Sequence, residues 1–357
     1  MRHLLILCLT IGSSLLGTPM DLENVFGHDA VISTKRILIP QFPYAFNPSL
    51  VKWKNKLLLS FRAGKEYVYE DEIPLPSEHT FEYDFVDKYS PNRMVLVLLD
   101  ADLNPCSAPQ ILDVPNYNST YRQQDPRLIV VGERLFIVYS EIVRGISIDY
   151  TRRMCVGEIF EDKGYFYTKN VETLLEFEGA KENVWEKNWA PFDYEGELLL
   201  TYSLNPHKIL RPMLGSHVCY TLACTQTSLD WKWGTLRGGT QAIQISDQEY
   251  LGIFHSSTVM ASAHSDGKKR QHYFMGAYTF AAHPPFALTR ISPTPIVGPD
   301  FYHGKAYKTW KPLVVVFPGG LVDNDPYLLV AYGRQDHEMW IATFDKDALL
   351  SSLIPVD

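Results

Sequence analysis

The sequence has little helical periodicity. Beyond its first residues, almost no apolar pattern at 3.6-residue spacing outlasts two turns, which argues against a helical bundle. Dense basic runs are equally scarce. The 33 Lys and Arg residues against 41 Asp and Glu leave a formal charge of −8, and Gly267-Lys268-Lys269-Arg270 is too small to follow a phosphate backbone, so no nucleic-acid partner is expected. Cysteine is rare, at 5 of 357 residues, and lacks the knuckle spacing of a zinc site, so no metal is expected. Cys219 and Cys224 stand five apart on an extended run, on opposite faces, and cannot pair with each other; Cys106 and Cys155 complete a set of four with no preferred connectivity. One long apolar run exists. Leu4 to Leu16 follows Met1-Arg2-His3 and leads into Gly17-Thr18, the pattern of a secretory signal over residues 1–17, with a buried strand or short membrane anchor as the alternative. No other run is long enough to span a membrane, and export of a mature chain 18–357 is expected. Asn118-Ser119-Thr120 is a glycosylation sequon, used only in a eukaryotic host.

What the chain does contain is turn residues and aromatics. There are 22 Gly and 23 Pro, while 21 Tyr, 18 Phe and 7 Trp suit pleated sheets and a flat-faced ligand surface. A length of 357 exceeds what one hydrophobic core sustains, so the chain is two domains or one modular, radially built domain. A hairpin unit recurs five times, at 46–62, 125–141, 190–203, 242–257 and 314–333. Each is a turn between strand-forming runs that end on a polar side chain. The turns are read at Lys54-Asn55-Lys56, Gly132-Glu133, Glu195-Gly196, Ser246-Asp247 and the stretch from Gly319 to Pro326. The strand ends Arg62, Ser140, Ser203, His255 and Tyr332 recur at intervals of 52 to 78 residues, room for about four strands each. The expected fold is all-β, a single five-bladed β-propeller over 18–357 with its active site in the central channel; a pair of β-sandwiches is the rival, disfavoured because no linker divides the chain.

Six segments stand out in chain order: Asn47-Pro48 with Ser60-Phe61-Arg62, Gln124-Asp125-Pro126-Arg127, Glu186-Lys187-Asn188-Trp189-Ala190-Pro191-Phe192, Phe254-His255, Val315-Val316-Phe317-Pro318-Gly319-Gly320, and Tyr332-Gly333-Arg334-Gln335-Asp336. Together they resemble glycoside hydrolase family 130, five-bladed propellers that include β-mannoside phosphorylases, β-mannosidases and mannosyltransferases. The resemblance covers roughly residues 40–345. Gln124 stands where the family usually has an acid, and Tyr202-Ser203 where its phosphorylases often show a His-Arg pair.

Glycoside cleavage needs a proton for the leaving oxygen and a nucleophile for the anomeric carbon, normally from two carboxylates set well apart when the reaction inverts. Asp125 is the expected acid, and the resemblance implies that it acts through a hydroxyl of the bound sugar. Arg127, two residues on, is expected on the same strand face, holding the carboxylate or a sugar hydroxyl. Apart from the other motifs, Asp125-Pro126 reads as a turn whose carboxylate caps local amides. Asn47, Arg62, Asn188, Arg237 and Asp336 are expected to bind sugar, with Gly238 and Gly239 letting backbone approach the ligand. Lys187, His207, Lys208, His255 and His303 are candidates for a phosphate or nucleophile region. Phosphorolysis conserves energy only inside a cell, so an exported chain is expected to hydrolyse, with Glu141, Glu186 or Glu338 activating water or, as surface acids, doing nothing. The reading is therefore inverting cleavage of a β-mannoside without a cofactor. Phosphorolysis to mannose 1-phosphate, with inorganic phosphate as co-substrate, or mannosyl transfer is the alternative, and a non-catalytic carbohydrate-binding propeller the second. Trp185, Trp189 and Trp310 are expected to pack in the core or at the rim.

Overall fold

The computed structural model describes residues 19–64, 92–114, 119–143, 151–181, 183–305, 307 and 313–356. The predicted signal over 1–17, Asn118 of the sequon and Trp310 lie outside the described residues. Helix α1 (Leu22–Phe26), capped by the Asp21 carboxylate, precedes strand β1 (Val31–Ile37). The first sheet is β2 (Ala45–Trp53), β3 (Lys56–Ala63), β4 (Arg93–Leu99) and β5 (Gln110–Leu112). The second is β6 (Ser119–Val131), β7 (Arg134–Val143), β8 (Thr151–Asp162) and β9 (Tyr165–Leu174). The third is β10 (Ala190–Tyr194), β11 (Glu197–Leu204), β12 (His207–Met213) and β13 (Val218–Thr225). Each is an antiparallel meander in chain order.

The fourth sheet departs from that unit. It holds β14 (Arg237–Gly238), β15 (Ile243–Gln244), the long pair β16 (Glu249–Met260) and β17 (Arg270–Ala281), then β18 (Leu288–Ile291) and β19 (Leu313–Val314). The fifth contains β20 (Val316–Asn324), β21 (Tyr327–Arg334) and β22 (Glu338–Asp345), followed by helix α2 (Lys346–Ser352) and by β23 (Ile354–Pro355), which returns to β18. The outer edge of the fifth sheet is β1, paired antiparallel with β22. Among the described residues, then, four sheets have four strands and the fourth has seven, an all-β, propeller-like arrangement in place of five equal four-stranded units.

The middle strands read as unbroken apolar runs, such as Leu57-Leu58-Leu59, Leu198-Leu199-Leu200 and Leu328-Leu329-Val330, because both faces of each sheet are covered. The buried clusters lie between successive sheets. Val51 and Leu58 meet Leu128 and Ile137, Ile129 and Phe136 meet Leu198 and Leu210, Phe192 and Ile209 meet Phe254 and Phe280, Phe274 meets Val316 and Phe344, and Leu59 and Val97 meet Val322 and Ile341. That series returns to its starting sheet, so the cores form a ring.

Four of the predicted turns sit between paired strands as expected; the fifth is narrower. Gly319 and Gly320 lie inside β20, at a bulge between Pro318 and Gly320, and the turn itself is at Asp325-Pro326. A side chain on Gly320 would stand 2.2 Å from the Leu50 amide nitrogen of β2, so the pair is kept bare by close strand approach, not by turn geometry. Cys106, Cys155, Cys219 and Cys224 are all free thiols.

Candidate active site

Four of the sequence-predicted residues share one backbone property: Asn47, Asp125, Asn188 and Asp336 all have left-handed φ, at 49°, 54°, 65° and 52°. The registers of β2 with β3 and of β6 with β7 slip at the first two, between Phe46 and Ser49 and between Gln124 and Arg127. Each slip is a bulge that turns a polar side chain out of the regular alternation within an inner strand. Asn and Asp tolerate this backbone better than other non-glycine residues.

At Asp125 the result is a nearly buried carboxylate, with a side chain 13% exposed. Asn47 Nδ2 donates to its Oδ1 at 2.8 Å, and Arg62 Nη1 stands 3.9 Å from the same oxygen. Arg62 is itself held by Asn92 Oδ1 at 3.0 Å and lies over the Phe46 ring. Burial pushes the Asp125 carboxyl up, but Arg62, the Asn47 amide, Arg127 and Lys187 together outweigh it and hold it below the usual carboxylate value.

Arg127 corrects an expectation. The bulge breaks the i, i+2 alternation, and its guanidinium, 1% exposed, does not flank the carboxylate from the same strand face. It donates to the carbonyls of Gly239 at 2.5 Å, Gly238 at 3.3 Å and Asp125 at 3.1 Å, and to Asn188 Oδ1 at 3.3 Å. It is a strut tying three sheets, and burial lowers its pKa to about 10. Gly238 and Gly239 serve the same junction. A Cβ on Gly238 would lie 2.2 Å from the Asn188 carbonyl oxygen and one on Gly239 2.3 Å from that of Ile253, so bare backbone here admits neighbouring strands, not ligand.

A positive field surrounds the carboxylate. Lys187 loses basicity to burial first and then to Arg152 and Arg237, while Asp125 and Asp336 act to restore it, so one ammonium senses both acids and two guanidiniums. His255, facing Arg237 across β14 and β16, is 2% exposed and packs against Phe317 at 4.7 Å between ring centroids. Burial, then Arg127, Arg237 and Lys187, depress it to about 3, so it is a neutral imidazole here. Asp336 is held by its neighbours: Gln335 bonds the Val315 backbone through its amide nitrogen and its side chain, and Arg334 pairs with Glu338 at 2.7 Å.

Other candidates do not join this cluster. His207 is fully buried beside Phe280, its Nδ1 2.6 Å from the Phe286 carbonyl, with a pKa lowered by burial to about 4; it belongs to the core between the third and fourth sheets. Lys208 Nζ donates to the Glu178 carbonyl at 2.8 Å and lies over Tyr202. His303 is drawn to α1, with Nδ1 2.6 Å from Glu23 Oε2. The three glutamates are buried, not surface acids: Glu141 is 0% exposed, Glu186 5% and Glu338 2%. Glu338 takes Arg334, Arg36 at 3.1 Å, Tyr307 Oη at 2.7 Å and Trp340 Nε1 at 2.8 Å, and so is saturated. Glu186 accepts from Trp189 Nε1 at 3.2 Å, and burial raises its pKa.

Sequence reasoning missed Arg152 and Tyr273. Arg152 is buried, donates to Ser140 Oγ at 3.3 Å and faces the Trp185 ring at 5.2 Å. Trp185 is 52% exposed at the rim, whereas Trp189 is core. Tyr273, raised by burial, also senses Asp336, Arg237 and Asp125. The Arg152-Arg153 pair at the start of β8 was the available signal for the first; nothing in the spacing marked Tyr273.

No protein-family model matches the sequence, and no curated protein matches it. Among solved structures the chain shares its fold with mannoside-acting proteins. It is similar to a β-1,2-mannobiose phosphorylase from Listeria innocua (16% identity, TM-score 0.58, 94% of this chain and 98% of that one), solved with β-1,2-mannobiose. It is also similar to the mannose phosphorylase MPT-4 from Leishmania mexicana in complex with a phosphate ion (12%, 0.57, 92% of each chain). A third neighbour (12%, 0.55, 93% and 94%) comes from the glycoside hydrolase family 130 mannoside phosphorylases, a family that contains hydrolases targeting β-1,2 mannosidic linkages in Candida mannan. At these identities what is shared is the fold.

Proposed function

We propose that the chain is a carbohydrate-active enzyme that cleaves β-mannosides with inversion, Asp125 serving as the acid, in a five-bladed propeller whose fourth blade is the enlarged sheet. The observation that carries this is the meeting of a nearly buried carboxylate, held by Asn47 and Arg62, with Lys187, Arg237 and Asp336. The predicted leader over residues 1–17 supports export.

The same field favours an anionic nucleophile over water. Asp125 sits below the ordinary carboxylate range, which suits an acceptor and not a proton donor. Phosphate bound beside Lys187 and Arg237 cancels part of the positive potential that keeps Asp125 ionised, raising its pKa toward that of a working acid. Water brings no such compensation, and Glu338, one of the three bases proposed for it, is saturated by four donors. Phosphorolysis is thus the reading the electrostatics support best; hydrolysis stays as the reading that export favours.

Product analysis decides between them. Purified protein is incubated with short β-mannosides with and without inorganic phosphate, and mannose 1-phosphate is scored against free mannose. Phosphate-dependent sugar phosphate supports the anion reading, phosphate-independent mannose supports hydrolysis, and no product under either condition favours a transferase or a binding propeller.

A further inference from the structure

We propose a divalent transition-metal site, of the kind that suits zinc, built from Asp21, His264 and His303 with Glu23 as its orienting carboxylate. The donors come from three places in the chain: the cap and first turn of α1, the short turn Ala263–Ser265 after β16, and the loop before β19. One atom from each of Asp21, His264 and His303 lies within 4.8 Å of the others. His264 Nε2 is 3.5 Å from Asp21 Oδ1, and His303 Nε2 is 4.0 Å from Asp21 Oδ2. A tetrahedral ion with bonds of about 2.0–2.1 Å spaces its ligands roughly 3.3 Å apart. His264 and Asp21 are therefore already near coordinating distance, and His303, 53% exposed, has the freedom to close the remainder.

Protonation agrees with this assignment. His303 Nδ1 faces Glu23 Oε2 at 2.6 Å, so the proton of a neutral ring belongs on Nδ1 and Nε2 is left bare toward Asp21. This carboxylate–imidazole arrangement is the one that orients metal-bound histidines. His264 Nε2, the ring nitrogen that faces Asp21, accepts only a long bond of 3.3 Å from the Leu22 amide, which an ion displaces. Asp21 Oδ1, which faces His264, also accepts from the amides of Glu23 and Asn24, and Oδ2 faces His303, so the carboxylate presents an oxygen to each imidazole. The two imidazoles lie 4.8 Å apart between centroids, close enough for both rings to reach one ion. Two nitrogens and one carboxylate leave a fourth position for water.

An ion here fastens the N-terminal helix to the loop that leads toward the candidate active site. Glu23 Oε1 already accepts from the backbone of Tyr302 and His303, and Tyr302 Oη donates to the Tyr273 carbonyl, next to the cluster around Asp125. The test is calorimetric titration of the full chain with Zn(II), alongside Co(II) absorption spectra. The expected results are one equivalent bound, visible Co(II) bands of four-coordinate character, loss of binding in His303→Gln and a 10–100-fold weakening in Glu23→Gln. The proposal is overturned if the wild-type chain takes up no more Zn(II) than an Asp21→Asn, His303→Gln double variant, or if Co(II) gives only the weak spectrum of the hexaaqua ion. The spectrum needs no variant, so misfolding of a mutant cannot decide the matter.

Discussion

Asn47 donates its side-chain amide to the Asp125 carboxylate at 2.8 Å, joining inner strands of two sheets 78 residues apart in sequence. Both residues occupy left-handed bulges, so the contact is fixed by backbone on either side and not by two flexible side chains reaching for each other. The carboxylate is therefore set in place before any substrate arrives, the condition under which a catalytic group loses least orientational freedom on binding.

Asp125→Asn keeps the shape but removes the carboxyl group that takes up and gives back a proton. Turnover is expected to fall about 10²–10⁴-fold while mannoside affinity, read by calorimetry, stays within a few-fold. A lectin-like protein gives no turnover in either form.

Lys187→Ala removes the ammonium that senses both Asp125 and Asp336. If phosphate is the nucleophile, its KM is expected to rise about 10–100-fold, the worth of one charged hydrogen bond, with a smaller change for the mannoside. Initial rates over a phosphate series check this. An unaltered phosphate dependence assigns the lysine to the sugar.

Glu338→Gln separates a base from a brace. Its carboxylate pairs with Arg334 in a site where both side chains are 2% exposed or less. Removing one charge of such a pair costs about 3–5 kcal/mol. Urea denaturation is expected to show that loss, larger in energy than any fall in kcat measured on the folded fraction.

His207 makes stability depend on pH. Its folded pKa, lowered to about 4 by burial, lies below the unfolded value of 6.5. The unfolded chain thus takes up the proton first, and the contribution of this residue is complete above pH 6.5 and lost as pH falls toward 4. The loss is about 3 kcal/mol at most. His207→Gln is expected to flatten that limb in denaturation curves collected from pH 7 to pH 4. An unchanged slope refutes the assignment.

Much of the ring was legible because hairpins announce themselves locally. Gly132-Glu133 and Glu195-Gly196 are turns whether or not the rest of the chain is known, and the apolar runs on either side give the strands. The seven-stranded sheet was not legible, since β19 and β23 join it from 32 and 73 residues after the end of β17, through pairings that leave no mark on their own short sequences. In the site, Lys187 senses both Asp125 and Asp336, and His255 senses Lys187 and Asp125, so residues read from separate motifs meet in space. Arg127 was misjudged because a bulge changes which face a side chain takes, and bulges need one residue more than the alternation rule counts. His207 was misjudged for a simpler reason: a histidine buried against phenylalanines looks, in sequence, like one that faces solvent.

The pairing of β1 with β22 means that strands separated by some three hundred residues complete one sheet. A chain emerging from a ribosome can assemble its first sheets early, but residues 31–37 must wait without their partner until residues 338–345 have been made. Through that interval the strand is an exposed edge, able to pair with a neighbouring copy at the same stage. The ring is then a latch as well as a scaffold. Its closing comes only once β22 has been made, and is the natural point at which two half-made chains can become entangled.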